Sequence, residues 1–292
     1  MSNLLCVRTD DLGETYGQLL TDVMVLGDVV KPRDMEVREV RPLLLSLSNP
    51  DRCFTKRPGI NRALTYMEIC QILAGDFRKS LFDAVSPLAS KLLTEGGAYG
   101  PRTHEQLARV IRELMKDPDS RRAVVYVGRP QDLEHIHSSS TTDQPCTMTW
   151  QFLNRGGKLD MIVNMRSWDL VWGLANDVPC FVSVQQGLAW ALKLEVGSYT
   201  HLAGSAHIYS RHYDMPEKVG IATDRLEPLV PRGLEQWEDQ PERWSALVQD
   251  AVHALNMAEA ALAGDSEPKN IPAQWLKPFR LWEKRFSAGD DD

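Results

Sequence analysis

The stretch from Pro145 to Asp214 constrains this chain more than any other, because it sets reactive side chains into an alternation of extended and helical runs. Cys146 follows a proline and opens the run Thr147 to Phe152, whose alternation suits a strand. A second extended run, Leu159 to Met165, follows the turn-forming Asn154-Arg155-Gly156-Gly157, so the two read as a hairpin. The second run delivers Arg166 and Ser167, and a helix-like segment then carries Asp169, Gly173 and Asp177. His207 and Tyr209 stand two apart in a later strand-like run and share one face.

Composition limits what this stretch can serve. Hydrophobic residues make up 43% of the 292 and charged ones 25%, a globular balance at a length that buries one large core or two modest ones. The net charge of −7 argues against a broad nucleic-acid surface. A phosphate site would be a local basic pocket, suited to a mononucleotide and not to a nucleic-acid polymer. The five cysteines, Cys6, Cys53, Cys70, Cys146 and Cys180, show no metal spacing, and no metal is expected. Their odd number and scatter fit thiols in a reducing compartment. Arg8 and Asp10 interrupt any signal-like start, and no window has the length and apolarity of a membrane span. A cytoplasmic protein with no membrane partner is expected.

Along the chain, Leu12 to Leu26 has near-helical apolar spacing, and Gly27 and Pro32 interrupt it. After Lys31-Pro32-Arg33, Glu36 to Leu47 reads as a strand-like run. Arg62 to Leu73 reads as a helix. Glu68 stands on it between Met67 and Ile69-Cys70, where a carboxylate needs work or a partner to offset its desolvation. A partly exposed surface carboxylate is the alternative. His104 to Lys116 is helical by spacing and is ended by Asp117-Pro118; Arg121 and Arg122 then precede a short strand, Ala123 to Val127. Gln131 to Gln144 reads as a serine-rich loop, Leu226 to Glu242 as irregular, Ser245 to Ala263 as an alanine-rich helix, and Phe286 to Asp292 as a frayed acidic end. No internal repeat stands out.

These pieces together resemble the thymidylate synthase family. The resemblance rests on Pro145-Cys146, on Arg166-Ser167 followed by Asp169 and Gly173-Leu174, and on Gly204-x-Ala206-His207-Ile208-Tyr209. Weaker matches stand at Glu68, Tyr99-Gly100 and Pro118-Asp119-Ser120-Arg121-Arg122, so that residues 30 to 215 are covered. The resemblance implies an α+β fold, a mixed sheet flanked by helices, in one catalytic domain over 1–292 whose segment 216–292 diverges. It implies a pyrimidine nucleoside monophosphate as substrate and 5,10-methylenetetrahydrofolate as co-substrate. Cys146 is then the nucleophile and Glu68 the proton-relaying glutamate. Arg33, Arg166 and Ser167 hold the nucleotide, and His207 and Tyr209 meet its sugar. Asp169 meets the pterin, and Gly173 leaves backbone room beside the base. Arg121 and Arg122 complete the phosphate clamp of the neighbouring subunit, which implies a homodimer; guanidinium forks suit that task. For Arg33 a solvated surface position is the alternative.

The chemistry fits those residue types. A pyrimidine C5 becomes nucleophilic once a thiolate adds to C6. An unperturbed thiol, with pKa about 8.5, is mostly protonated, and guanidinium charge from Arg166 would favour the thiolate. Asp177 is the informative departure, since the resemblance places there an asparagine that reads uracil. An amide offers one donor and one acceptor, whereas a carboxylate offers acceptors only and fits the amino group and protonated N3 of cytosine. The same change marks the cytidylate and deoxycytidylate 5-hydroxymethylase branch. Asn176 precedes Asp177, and a one-residue slip would restore the uracil reader; counting from Asp169 and Gly173 without gaps gives Asp177. Leu81 to Gly97 lacks the tryptophan found in thymidylate synthases, Thr147 replaces the usual histidine after the cysteine, and Glu283-Lys284-Arg285 with Asp290 to Asp292 leave the end polar. These departures favour water over hydride as the final reactant, hence hydroxymethyl over methyl. The rivals are a C5 methyltransferase (thymidylate synthase or dCMP methylase), a cysteine hydrolase using Cys146 and His207, and a silent nucleotide-binding protein.

Overall fold

The structure is a computed structural model that describes residues 4–91, 94–135, 144–231, 240–264 and 271–288. Strand β1 (Leu5–Thr9) leads into helix α1 (Leu12–Leu26), which begins where the Asp11 carboxylate accepts the Gly13 and Glu14 amides. After β2 (Asp28–Val30), the run from Glu36 to Leu47 does not form one strand. Pro42, lacking an amide hydrogen, divides it into β3 (Val37–Val40) and β4 (Leu43–Leu47), which join different sheets. Helix α2 (Arg62–Ala74) is capped by Asn61 and ends at Gly75; apart from Leu64 and Glu68, most of its side chains are buried. The short helices α3 (Lys79–Val85) and α4 (Pro87–Ser90) follow. Helix α5 (Tyr99–Lys116) starts earlier than its spacing predicts, and strand β5 (Val124–Tyr126) comes next.

Strands β6 (Thr147–Arg155) and β7 (Lys158–Met165) form the expected hairpin with a tighter turn. Asn154 and Arg155 stay in the ladder opposite Leu159 and Lys158, and only Gly156 and Gly157 turn, at φ 60° and 81°. Two left-handed residues match the twist of a two-residue hairpin, and glycine adopts them without Cβ strain. Then come β8 (Trp168–Asp169), α6 (Gly173–Leu192), β9 (Glu195–Ala203), β10 (Ala206–Tyr209), α7 (Gln240–Leu262) and α8 (Leu276–Ala288). Helix α7 begins ahead of Ser245. Phe286 and Ser287 continue α8, so the fraying expected from Phe286 starts later. Of the expected irregular segments, residues 136–143, 232–239 and 289–292 lie outside the described residues.

The fold is α+β. A six-stranded mixed sheet runs β1-β4-β9-β7-β6-β5 and a smaller one runs β2-β3-β10-β8. Helix α6 makes the crossover between parallel β7 and β9, and buried Gln185 stitches it to both by donating to Leu159 O (2.8 Å) and Ser198 O (3.0 Å). Helices α7 and α8 pack on α2 in the same core. Trp275, Phe279 and Trp282 are buried there, and the Trp282 indole donates to Ala63 O at 3.1 Å. Burying one such ring contributes roughly 1.5–3 kcal/mol, and one hydrogen bond about 1 kcal/mol. Apolar area therefore holds α8, and the indole orients it. Among the described residues no helix is long and apolar enough to cross a membrane.

Candidate active site

A cavity of about 570 Å³ lies between α2, α3, the start of α5, the segment Gln144-Pro145-Cys146 that leads into β6, and the first turns of α6. Cys146, Glu68, Asp177, Ser167, Asp169 and Gly173 all line it, so the fold gathers these sequence candidates. Arg33, Arg121, Arg122, Arg166, His207 and Tyr209 are not in that lining. The volume falls within the range of small-molecule sites.

Cys146 is half-buried, and its carbonyl accepts the Arg166 amide at 2.9 Å. The Arg166 guanidinium curls back on the same segment, donating to Pro145 O (3.1 Å) and Gln144 O (3.0 Å). Behind the thiol, the buried Thr147 hydroxyl donates to Tyr99 at 3.1 Å, and Tyr99 packs against Trp150 and Phe181. Cys53, Cys70 and Cys180 are core thiols that burial pushes up, as expected of cysteines with no task.

Two carboxyl groups meet across α2 and α6. Glu68 accepts from the Asn176 amide, and burial pushes it up to about 7 against that hydrogen bond. Asp177 accepts from the Trp168 indole at 3.1 Å on Oδ2. Burial, then the charges of Glu68 and Asp169, hold it well above the usual carboxylate range against the indole bond. Gly173 stands beside the pair. A Cβ there would lie 3.2 Å from Asp177 Oδ2, so the glycine makes room for that carboxyl. Asn176 and Asp177 both line the cavity, Asn176 on Glu68 and Asp177 on Trp168.

Asp169 uses Oδ1 to brace the turn into α6, accepting from the amides of Val171 (2.8 Å) and Trp172 (3.3 Å). His207 pairs with Asp169 across β8 and β10, and its ring stands edge-on to Tyr209 at 5.0 Å. Burial lowers His207 against the charges of Asp169 and Glu39. Burial and the Asp169 charge raise the Tyr209 phenol, opposed by Arg33 and Arg211; the latter lies 4.2 Å over its ring. Arg33 is exposed, on a short turn at φ 52°. Arg121 and Arg122 are exposed beside the outermost strand of the large sheet, Arg122 forking onto Glu113 at 3.0 Å. Sequence reasoning missed Trp168, Trp172, Arg57 and His212, which also line the cavity. Each is an ordinary residue until the chain folds.

A thiol and two raised acids line one cavity, and residues 73–228, more than half of the chain, match the thymidylate synthase family. The chain belongs to that family, whose members are one-carbon transferases acting at the pyrimidine C5. It is similar to the deoxyuridylate hydroxymethyltransferase of Bacillus phage SP01, with 30% identity over 273 residues that cover 83% of this chain and 70% of that protein. Cys146, Arg166, Asp169, Asp177, His207 and Tyr209 fall inside the family match, whereas Arg33 and Glu68 precede it.

Glu68 has an ordinary value of 4.5 and rises to about 7 on folding. Its ionisation therefore costs nothing below pH 4.5, costs more as pH rises to 7, and costs a constant amount above that. Glu68→Gln keeps an acceptor for Asn176 and removes the cost. Relative to the wild type it should gain on the order of 2–3 kcal/mol between pH 4.5 and pH 8, read from paired thermal melts. A difference that does not change with pH would refute late ionisation of Glu68.

Proposed function

We propose that this protein is a pyrimidine nucleotide C5 hydroxymethyltransferase acting on CMP or dCMP with 5,10-methylenetetrahydrofolate. The observation that carries this reading is Asp177, a raised acid on the wall of the cavity that Cys146 also lines. A carboxyl that still holds its proton can donate it to N3 of cytosine and accept from the N4 amino group. The protonated ring is the form that a thiolate attacks most readily at C6. Uracil N3 already carries hydrogen, so no such activation is available to it.

Cys146 forms a bond to C6, and the electron pair displaced from C5–C6 makes C5 nucleophilic. Methylenetetrahydrofolate supplies one carbon at the formaldehyde level, and an apolar wall including Leu64, Phe77 and Phe82 suits its flat ring. Glu68, poised near neutrality, relays the proton lost from C5. Water supplies the hydroxyl oxygen, and the sulfur leaves as C5–C6 reforms. No external reductant is consumed: C5–H becomes C5–CH2OH, and tetrahydrofolate is released. Arg33, Arg166 and Ser167 hold the nucleotide, His207 and Tyr209 its sugar, and Asp169 with Gly173 the pterin side.

Support for hydroxymethyl over methyl comes from the phage relative's name and from the cavity wall. Among the described residues nothing after Met215 lines the cavity, because α8 docks on α2 and not over the site. Water is thus not sealed out by that helix. The relative's substrate also favours a second reading, deoxyuridylate hydroxymethylation, since a protonated Asp177 offers uracil one donor and one acceptor. The hydrolase reading loses support, as His207 is absent from the lining that holds Cys146. Arg121 and Arg122 stand away from the chain's own cavity, which supports their service to a second subunit; sedimentation showing only monomer at assay concentrations would remove that role.

Product mass from CMP, dCMP and dUMP, each with the folate, tests the reading; a product from dUMP alone would replace the cytosine claim with the second reading. Cys146→Ser should abolish turnover while leaving nucleotide binding measurable by calorimetry. Asp177→Asn cannot give N3 a proton and should cost about a hundredfold or more in kcat on the cytosine nucleotide, shifting preference toward dUMP. An unchanged preference would sink the role of Asp177.

A further inference from the structure

Trp168 is 1% exposed and lies flat on His201, with ring centroids 3.7 Å apart and planes 8° apart. His201 is fixed in turn by Tyr199, whose hydroxyl is 2.8 Å from Nδ1. This stack sets the indole plane and aims Nε1–H at Asp177 Oδ2. Gly173 leaves that oxygen room on another side. One carboxyl oxygen is thereby committed as an acceptor, and Oδ1 is left as the oxygen that can carry a proton.

That asymmetry matters because the two bases differ in donor and acceptor order. Cytosine presents an acceptor at N3 and a donor at N4; uracil presents a donor at N3 and an acceptor at O4. A carboxyl whose proton moves freely between its oxygens complements either edge. A carboxyl with one oxygen pinned complements only one. We propose that Trp168 sets the pyrimidine preference of this protein, by holding Asp177 Oδ2 as an acceptor so that the carboxyl shows the base a single donor–acceptor order. Trp168 is a positioning residue acting through Asp177. The inference rests on Asp177 reading the base, as in the proposed function, but not on which base wins. Burial and the neighbouring Glu68 and Asp169, which push Asp177 well above the usual carboxylate range, support it.

The test compares kcat/KM for dCMP against dUMP, and CMP against UMP, in the wild type, Trp168→Phe and Gly173→Ala. The first variant keeps a ring on His201 and removes the N–H; the second leaves the stack and crowds Oδ2. Each should move the cytosine-to-uracil ratio toward unity by about fivefold, the scale of one hydrogen bond to a neutral group. In an Asp177→Ala background, adding Trp168→Phe should leave the ratio of nucleotide affinities, measured by calorimetry, unchanged. Folded variants that slow both bases equally, with a ratio within about twofold of wild type, would overturn the assignment. A wild type that prefers uracil would instead defeat the cytosine reading, and relaxation by Trp168→Phe would still decide this inference. If Trp168→Phe does not fold, Gly173→Ala decides it.

Discussion

Two half-buried carboxyl groups on one cavity wall, Glu68 on α2 and Asp177 on α6, are the constraint on which the rest of this structure turns. Ionising both would place like charges in a poorly solvated wall, and desolvating one ion already costs several kcal/mol. The fold answers with neutral donors instead of cations. Asn176 donates to Glu68 and Trp168 to Asp177, each opposing but not cancelling the effect of burial. The result is a pair of acids that keep protons at pH values where free carboxyls have lost them. Such groups can donate and recover protons during a reaction near neutrality.

Holding that pair together is the work of the surrounding layers. Helix α2 is backed by α7 and α8, so the carboxy-terminal helices belong to the same core as the site they never touch. Beneath Asp177 the layers run Trp168, His201, Tyr199. Burial pushes His201 down to about 3, so the ring stays neutral and stacks under the indole without adding a cation near the acids. A protonated imidazole there would stabilise the ionised form of Asp177 and work against its elevation.

The basic groups lie elsewhere. Arg33 and Arg211 act on Tyr209 at the rim, and Arg166 wraps the segment before Cys146. Of these groups none lines the cavity, whose wall carries Arg57 and the acids Glu68, Asp76, Asp169 and Asp177.

Alternation, turn glycines and apolar spacing made the β6–β7 hairpin and α1 readable in the sequence, because these depend on neighbours in the chain, whereas the α+β character followed from the family resemblance. Pro42 alone divided the run from Glu36 to Leu47, and its lack of a donor hydrogen could have signalled the break. The reactive types were readable too: Cys146, Glu68, Asp177 and the arginines stand out by chemistry and order. What the sequence could not determine is who pairs with whom. Glu68 and Asn176 are separated by 108 positions, and Trp168 reaches Asp177 across a turn into α6. Only tertiary packing brought those donors to those acids and excluded water around them, and a carboxyl's proton affinity is set by that enclosure, not by its place in the chain.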